Sequence, residues 1–267
     1  MLRIGWFSTG RGPGSRGLLS FIQDHVLEGK LDARIQYVFS NREPGEAPGS
    51  DEFFGLVRGY GIPLVTLSSA TFRRDRGRPW PALRDDFDRE VISRISDYRV
   101  DVCVLAGYML ILGGEMCRRY PFLNLHPALP DGPIGAWQDV IWELIETRAA
   151  RTGAMVHLAT EQVDRGPVVS YCTVPLRGEP FDALWQQADG TSVAEAKAAQ
   201  GEDFPLFREI RSAGYAREPY LVLETLRAVA EGILPAASAG WADWEPRRLD
   251  DEINSAMRND GLASSGG

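Results

Sequence analysis

Lysine is nearly absent from this chain. Only Lys30 and Lys197 stand among 29 basic residues, the rest being arginine. Arginine offers bidentate contacts to phosphate and carboxylate, but a bias spread over the whole chain reads as codon usage and selects no function. An excess of positive charge is missing too, since the formal net charge is -8. That balance argues against nucleic acid or an anionic membrane as the main partner, because both need clustered positive charge, while leaving room for local basic pockets. Cysteine is scarce as well. Cys103, Cys117 and Cys172 are odd in number and lack metal-ligand spacing, so neither a disulfide framework nor a metal site is expected. Cys103 and Cys172 lie in apolar strand-like runs where a reduced thiol acts as a small hydrophobe, which fits a cytoplasmic location. The N-terminus has no basic stretch leading into a long apolar one, and no run reaches membrane-spanning length. Secretion and membrane insertion are therefore not expected.

What is present is ordinary for a globular chain with one large core: 267 residues, 44% of them hydrophobic and 25% charged. Short apolar runs alternate with longer amphipathic stretches. "RIGWF", "ARIQYVF", "PLVTL", "VDVCVLAG" and "FLNLH" read as strands, with helices between them at about 15–28, 51–60 and 83–98. In the last of these, Phe87, Val91, Ile95 and Tyr98 recur at spacings of three and four, forming one apolar stripe. After a helix at about 137–148, "AMVHLAT" and "PVVSYCTVPL" flank the polar turn "EQVDRG" and read as an antiparallel pair. The pattern predicts an α/β fold: a Rossmann-like, mostly parallel sheet with helices on both faces and an antiparallel end. One domain is expected over 1–234, including a linker at about 186–205 and a docked helix at about 218–233. A largely disordered tail is expected over 235–267.

Three short stretches carry chemistry. "GRGPGSRG" (10–17) follows the first strand and opens the first helix, where free N–H groups attract an anion. Gly12, Gly14 and Gly17 match the dinucleotide fingerprint in letters. Pro13 lacks an N–H, however, and Ser40, Asn41 and Arg42 end the second strand where an NAD site wants an acid. An NADP site using Arg42 and a turn that only packs are the alternatives to the preferred reading, a monophosphate on Gly14, Ser15 and Arg16. In "FLNLHP" (122–127), strand alternation turns Asn124 and His126 to the same side. An amide and an imidazole together suit a carbonyl that becomes an oxyanion; a histidine satisfied by backbone partners is the other reading. In "VDRGP" (163–167), Asp164 taken by itself reads as a turn residue.

Taken in order, "FSTGRGPGS", "VFSN", "DVCVLAGYMLIL", "NLHP", "GAMVHLATEQVDRGPVV" and "EPYLVLETL" resemble the formyltransferase family that uses 10-formyltetrahydrofolate, most closely its branch acting on glycinamide ribonucleotide. The resemblance runs from residue 1 to about 234, and "NLHP" with the aspartate of "VDRGP" some forty residues later is its most specific part. It implies an enzyme of one-carbon metabolism and purine biosynthesis, with 10-formyltetrahydrofolate as co-substrate, no metal and no covalent enzyme intermediate. By position, Asn124 and His126 match the pair that polarises the formyl oxygen. Asp164 matches the carboxylate that keeps the histidine functional and helps move protons, which displaces its turn-only reading. Leu105, Met109, Leu110, Ile111 and Leu112 match the folate-binding segment, with Glu161 and Val163 on the loop closing over the pterin. Gly12, Gly14, Ser15 and Arg16 match the acceptor's phosphate loop. His157 matches a position near the site, and a packed strand residue is its equal alternative.

Departures from the family pattern gather on the acceptor side. Arg16 replaces an asparagine and a further glycine intervenes; "ALPDGPIGAWQDVIWELI" is altered and brings Trp137 and Trp142 to the region expected to meet substrate; Leu110 replaces an arginine; and "GTSVAEAKAAQGED" is longer. The relative that formylates methionyl-tRNA has a nucleic-acid-binding C-terminal domain, for which residues 180–267 lack basic character. The hydrolase relative has a regulatory domain, for which there is no room before the first strand. The expected partners are small molecules, with no nucleic acid or membrane, in a monomer or homodimer. Other readings are a formyltransferase for another anionic amine, such as a sugar nucleotide or specialised metabolite, an NADP-binding protein, and a non-catalytic folate-binding protein.

Overall fold

A computed structural model of the chain describes residues 1–235 and 245–261. Its strands are β1 (Leu2–Phe7), β2 (Ala33–Ser40), β3 (Leu64–Thr66), β4 (Val102–Leu105), β5 (Phe122–His126), β6 (Arg151–Leu158), β7 (Val168–Pro175) and β8 (Arg247–Arg248). The helices are α1 (Pro13–Leu27), α2 (Pro48–Gly59), α3 (Ser69–Arg76), α4 (Arg84–Ile95), α5 (Gly114–Arg119), α6 (Trp137–Glu146), α7 (Phe181–Gln187), α8 (Val193–Ala199), α9 (Pro205–Ala230) and α10 (Asp250–Asn259). The strands form one sheet in the order β3-β2-β1-β4-β5-β6-β7-β8. β1 to β5 pair in parallel. The Ala159 N–H bonds the Phe122 carbonyl while Asn124 meets His157, so β6 runs against β5. Bonds from Leu158 to Pro167 and from Leu176 to Ala150 set β7 against β6. The mostly parallel sheet with an antiparallel part is thus present.

The chain divides into two compact units. The first comprises Met1–Asn124, His157–Pro167 and the described part of Leu226–Trp244. On one face of its sheet, Phe7, Tyr37, Phe39, Cys103, Leu105 and Phe122 pack against Phe72 of α3, the apolar stripe of α4 and Met116 of α5. Gly5 makes room for this layer, since a Cβ there would lie 2.7 Å from the Tyr37 hydroxyl. The strand order reverses direction at β1, which has β2 on one side and β4 on the other. Ligands of open α/β sheets bind beyond the carboxyl ends of the strands at such a point. The connection after β1 is the segment 8–12, which runs into the rest of "GRGPGSRG" at the start of α1, and that after β4 is the segment 106–113.

The second unit comprises Leu125–Val156, Val168–Thr225 and the described part of Glu245–Gly267. Its core joins Val140, Ile141, Leu144 and Ile145 of α6 with Trp185, Phe204, Phe207 and Ile210. Trp142 is buried in that core, its ring centroid 4.6 Å from that of Phe207, and Trp137 packs at the edge. Trp142, expected near substrate, is therefore committed to packing, while Trp137 is only partly buried.

The region beyond 180 departs from the expected pattern. The 186–205 stretch holds α8, closed by a reciprocal capping box between Ser192 and Glu195, and the helix expected at 218–233 is the later part of a 26-residue helix. Pro219 lies inside α9; a residue without an N–H weakens the sequence signal for a continuous helix, and packing overrides it. Of the expected tail, 236–244 and 262–267 lie outside the described residues. Residues 245–261 are regular: β8 pairs with β7, the Thr173 N–H donates to Asp250 Oδ1 at 2.7 Å, and Ile253 is fully buried.

Candidate active site

Strand β5 carries Asn124, and the turn after β6 returns Asp164 to it. Asn124 Nδ2 donates to His157 Nε2 at 3.0 Å and to Asp164 Oδ1 at 3.4 Å. The His157 ring stands 3.4 Å from the same carboxylate oxygen. His157 Nδ1 faces the Leu158 carbonyl at 3.0 Å. A carbonyl only accepts, so Nδ1 bears the proton, and Nε2 of the neutral ring accepts from Asn124. This fixes the amide's orientation, because its oxygen would otherwise face a carboxylate. His157 is fully buried and Asp164 nearly so, which strengthens each of these bonds.

The turn is shaped by two backbone features. Asp164 holds φ at 53°, a left-handed conformation that aspartate tolerates better than most residues. At Gly166 a Cβ would lie 1.7 Å from the Leu158 carbonyl oxygen, so only glycine permits the return to β6. "VDRGP" is therefore both a turn and the means of bringing a carboxylate to Asn124.

His126 ends β5 two residues after Asn124. It is buried, and its Nε2 donates to the Pro133 carbonyl at 3.0 Å.

The two glycine-containing loops of the first unit meet. Thr9, at the base of "GRGPGSRG", donates its N–H to the Gly107 carbonyl at 3.1 Å, and its Oγ1 accepts the Met109 N–H at 3.0 Å. Ser15 Oγ abuts Gly107, where a Cβ would come within 2.7 Å of it. Gly12 is the N-cap of α1 without a capping side chain, and Pro13 and Gly14 follow in the first turn. Arg16 forms an ion pair with Glu52 at 2.9 Å and reaches the Gly49 carbonyl at 3.4 Å.

The folate-side residues divide by burial. Leu105 and Leu112 are buried, and Leu110 packs against the same core cluster. Met109, Ile111 and Val163 are 66%, 43% and 48% exposed, although each is large and apolar. Glu161 faces Arg118 of α5 at 3.6 Å, which ties the turn after β6 to that helix. Sequence reading overlooked Asp88, a buried acid of α4 that accepts the Gly113 N–H at 2.5 Å. Its signal was available, because Asp88 sits beside Phe87 and three residues before Val91, on the apolar face. Among the described residues no three His, Cys, Asp or Glu are grouped to hold a metal, and no helix is long and apolar enough to cross a membrane.

Comparison with known proteins places this arrangement. A family model described as formyl transferase matches residues 17–179, beginning just beyond most of the glycine turn. A phosphoribosylglycinamide formyltransferase of Escherichia coli (strain K12) is 31% identical over 167 residues, covering 61% of this chain and 70% of the relative. One from Saccharomyces cerevisiae is 30% identical over 169 residues, covering 57% and 75%. The crystal structure of glycinamide ribonucleotide transformylase 1 from Symbiobacterium toebii superposes with a TM-score of 0.61 at 27% identity, covering 87% of this chain and 89% of that one. With more than half of its length matched by the family model, the chain belongs to the formyl transferase family, and it is an enzyme of that class.

Proposed function

We propose that this enzyme transfers the formyl group of 10-formyltetrahydrofolate to the primary amine of glycinamide ribonucleotide, a step of purine biosynthesis. The observation that carries this reading is the hydrogen-bonded group of Asn124, His157 and Asp164 at the end of β5, in a chain of the formyl transferase family. The amine nitrogen attacks the formyl carbon, the bond from that carbon to folate N10 breaks, and a proton lost by the amine is balanced by one gained at N10. Asn124 turns one amide hydrogen toward the developing oxyanion. The bond at 3.4 Å to Asp164 is the one exchanged, while the 3.0 Å bond to His157 keeps the amide in place. The proton of the amine passes to Asp164 and from there by way of His126 to N10, and His126 polarises the formyl oxygen as it carries that proton. The exposed side chains of Met109, Ile111 and Val163 form the apolar surface that a flat pterin covers, with Glu161 on the closing loop. Backbone groups of the 105–112 segment supply polar contacts where Leu105, Leu110 and Leu112 pack inward.

The phosphate of the acceptor is assigned to Gly12, Gly14, Ser15 and Arg16 at the uncapped start of α1. Arg16 also pairs with Glu52, so the phosphate exchanges for that carboxylate when the acceptor binds. We assign the catalytic and substrate-binding residues to the stretch 1–234. Three cysteines present as free thiols support a reducing, cytoplasmic location, and a monomer or homodimer suffices for the reaction.

Release of tetrahydrofolate, followed by absorbance with and without glycinamide ribonucleotide, tests the proposal. Acceptor-dependent turnover supports it. Donor binding without turnover moves the acceptor to other anionic amines, and a protein that fails to bind the donor is not a folate-dependent formyltransferase.

A further inference from the structure

Asp88 has no chemical part in the reaction proposed above, yet it is buried against the segment assigned to folate. Its Oδ2 accepts the N–H of Gly113, the N-cap of α5 and the last residue of loop 106–113. A Cβ on Gly113 would lie 2.6 Å from Asp85 Oδ1 and 2.9 Å from Asp88 Oδ2, so the glycine lets two carboxylates of α4 close on the backbone. The loop is pinned at two more points. The Met109 N–H is held by Thr9, and the Tyr108 ring packs edge-on against Phe7 with centroids 5.7 Å apart. Between these ties Met109 and Ile111 remain exposed. A free apolar loop would fold its side chains onto the protein; one held at three places keeps them presented, which lowers the ordering cost of binding.

We propose that Asp88 is a positioning residue for the formyl donor: its carboxylate fixes the Gly113 end of the loop so that Met109 and Ile111 stand ready for the pterin. This rests on the donor reading given above. The groups facing Asp88 are Arg84 and Asp85 of α4, Glu115 and Cys117 of α5, and Tyr108 of the loop. Burial, with Asp85 and Glu115, outweighs the Gly113 bond and Arg84 and pushes the Asp88 carboxyl up to about 6. An ionised carboxylate accepts a hydrogen bond more strongly than a neutral carboxyl, so donor affinity is expected to weaken as pH falls through about 6.

Two variants test this. Asp88→Asn keeps a neutral acceptor of the same shape, and Asp88→Leu removes it. The readouts are amide hydrogen exchange over residues 106–113, calorimetric affinity for tetrahydrofolate at several pH values, and kcat at saturating donor. Asp88→Leu is expected to speed exchange in the loop and weaken tetrahydrofolate binding by about tenfold or more, with kcat changed by less than roughly twofold. Asp88→Asn at neutral pH is expected to match the wild type at acid pH and to lose the step in affinity near 6. If Asp88→Asn retains the wild-type pH step, or Asp88→Leu leaves loop exchange unchanged, the role of Asp88 is overturned while the donor reading stands. Equal losses in kcat and affinity would mark a general structural defect and also overturn it. Wild-type protein that binds no tetrahydrofolate at any pH would overturn the donor reading and, with it, this role.

Discussion

Asp164 and Asp88 are both acids held out of water, but their surroundings set different tasks. Asp164 lies beside an amide and an imidazole, so its charge faces groups that can move or share a proton. Asparagine tolerates the left-handed backbone at 164, which makes Asp164→Asn a clean removal of the charge. Steady-state kinetics are expected to show kcat reduced by about 10²–10⁴, with tetrahydrofolate affinity little changed. Retention of full turnover would exclude a catalytic carboxylate there. Asp88 instead meets a backbone N–H and, within the same helix, another carboxylate. Its pKa in the folded protein, pushed up to about 6 by burial, lies above the ordinary 3.8. Its proton therefore contributes stability that is fully present below about pH 4 and is lost as pH rises through about 6. Asp88→Asn, which needs no proton, is expected to be more stable than the wild type by about 2–3 kcal/mol at neutral pH and to lose that advantage near pH 4. Urea denaturation at the two pH values measures the difference.

At the scale of elements, close approach of backbones explains the glycines that matter. Gly166 allows the turn after β6 to come back to Leu158, and Gly49 in the first turn of α2 allows that helix to meet the Arg11 carbonyl, where a Cβ would come within 2.3 Å. Gly166→Ala is expected to cost about 2 kcal/mol or more through displacement of the turn, and to reduce turnover because Asp164 moves with it. Thermal unfolding together with an activity assay separates the two effects. Helix α8 offers a milder case: its capping box joins Ser192 to the Glu195 N–H and side chain. Ser192→Ala should lower stability by about 1 kcal/mol, read from the denaturation midpoint, with no change in kcat. α1 and α2 begin at Pro13 and Pro48, ahead of the starts near 15 and 51 read from the sequence, because proline suits the first turn of a helix. α9 was legible only in part, because Gly214 and Pro219 interrupt a pattern that tertiary packing nevertheless completes.

For the whole molecule, residues 245–261 belong to the folded structure of the second unit. Ile253 is completely buried, and Asp250 supplies an acceptor to the edge of β7 at Thr173. Ile253→Ala is expected to destabilise by about 2–5 kcal/mol, whereas a wild-type melting curve for that variant would show that α10 contributes nothing to the fold. The alternation of short apolar runs with amphipathic stretches determined the α/β class and the antiparallel end, since both depend on periodicities read over a few neighbouring residues. The sequence by itself also singled out Asn124, His126 and Asp164 as candidates for the proposed chemistry, because "NLHP" followed by "VDRGP" resembles a known family. Tertiary structure alone decided that His157 joins Asn124 and Asp164, that Arg16 pairs with Glu52, that Leu105 and Leu112 face the core while Met109 and Ile111 do not, and that Asp88 holds Gly113. Each of these depends on how β1, β4, β5 and β6 are ordered in the sheet and on which loops that order brings together. Periodicity along the chain carries no record of that order, because contacts between distant residues are selected by the packing of the assembled core.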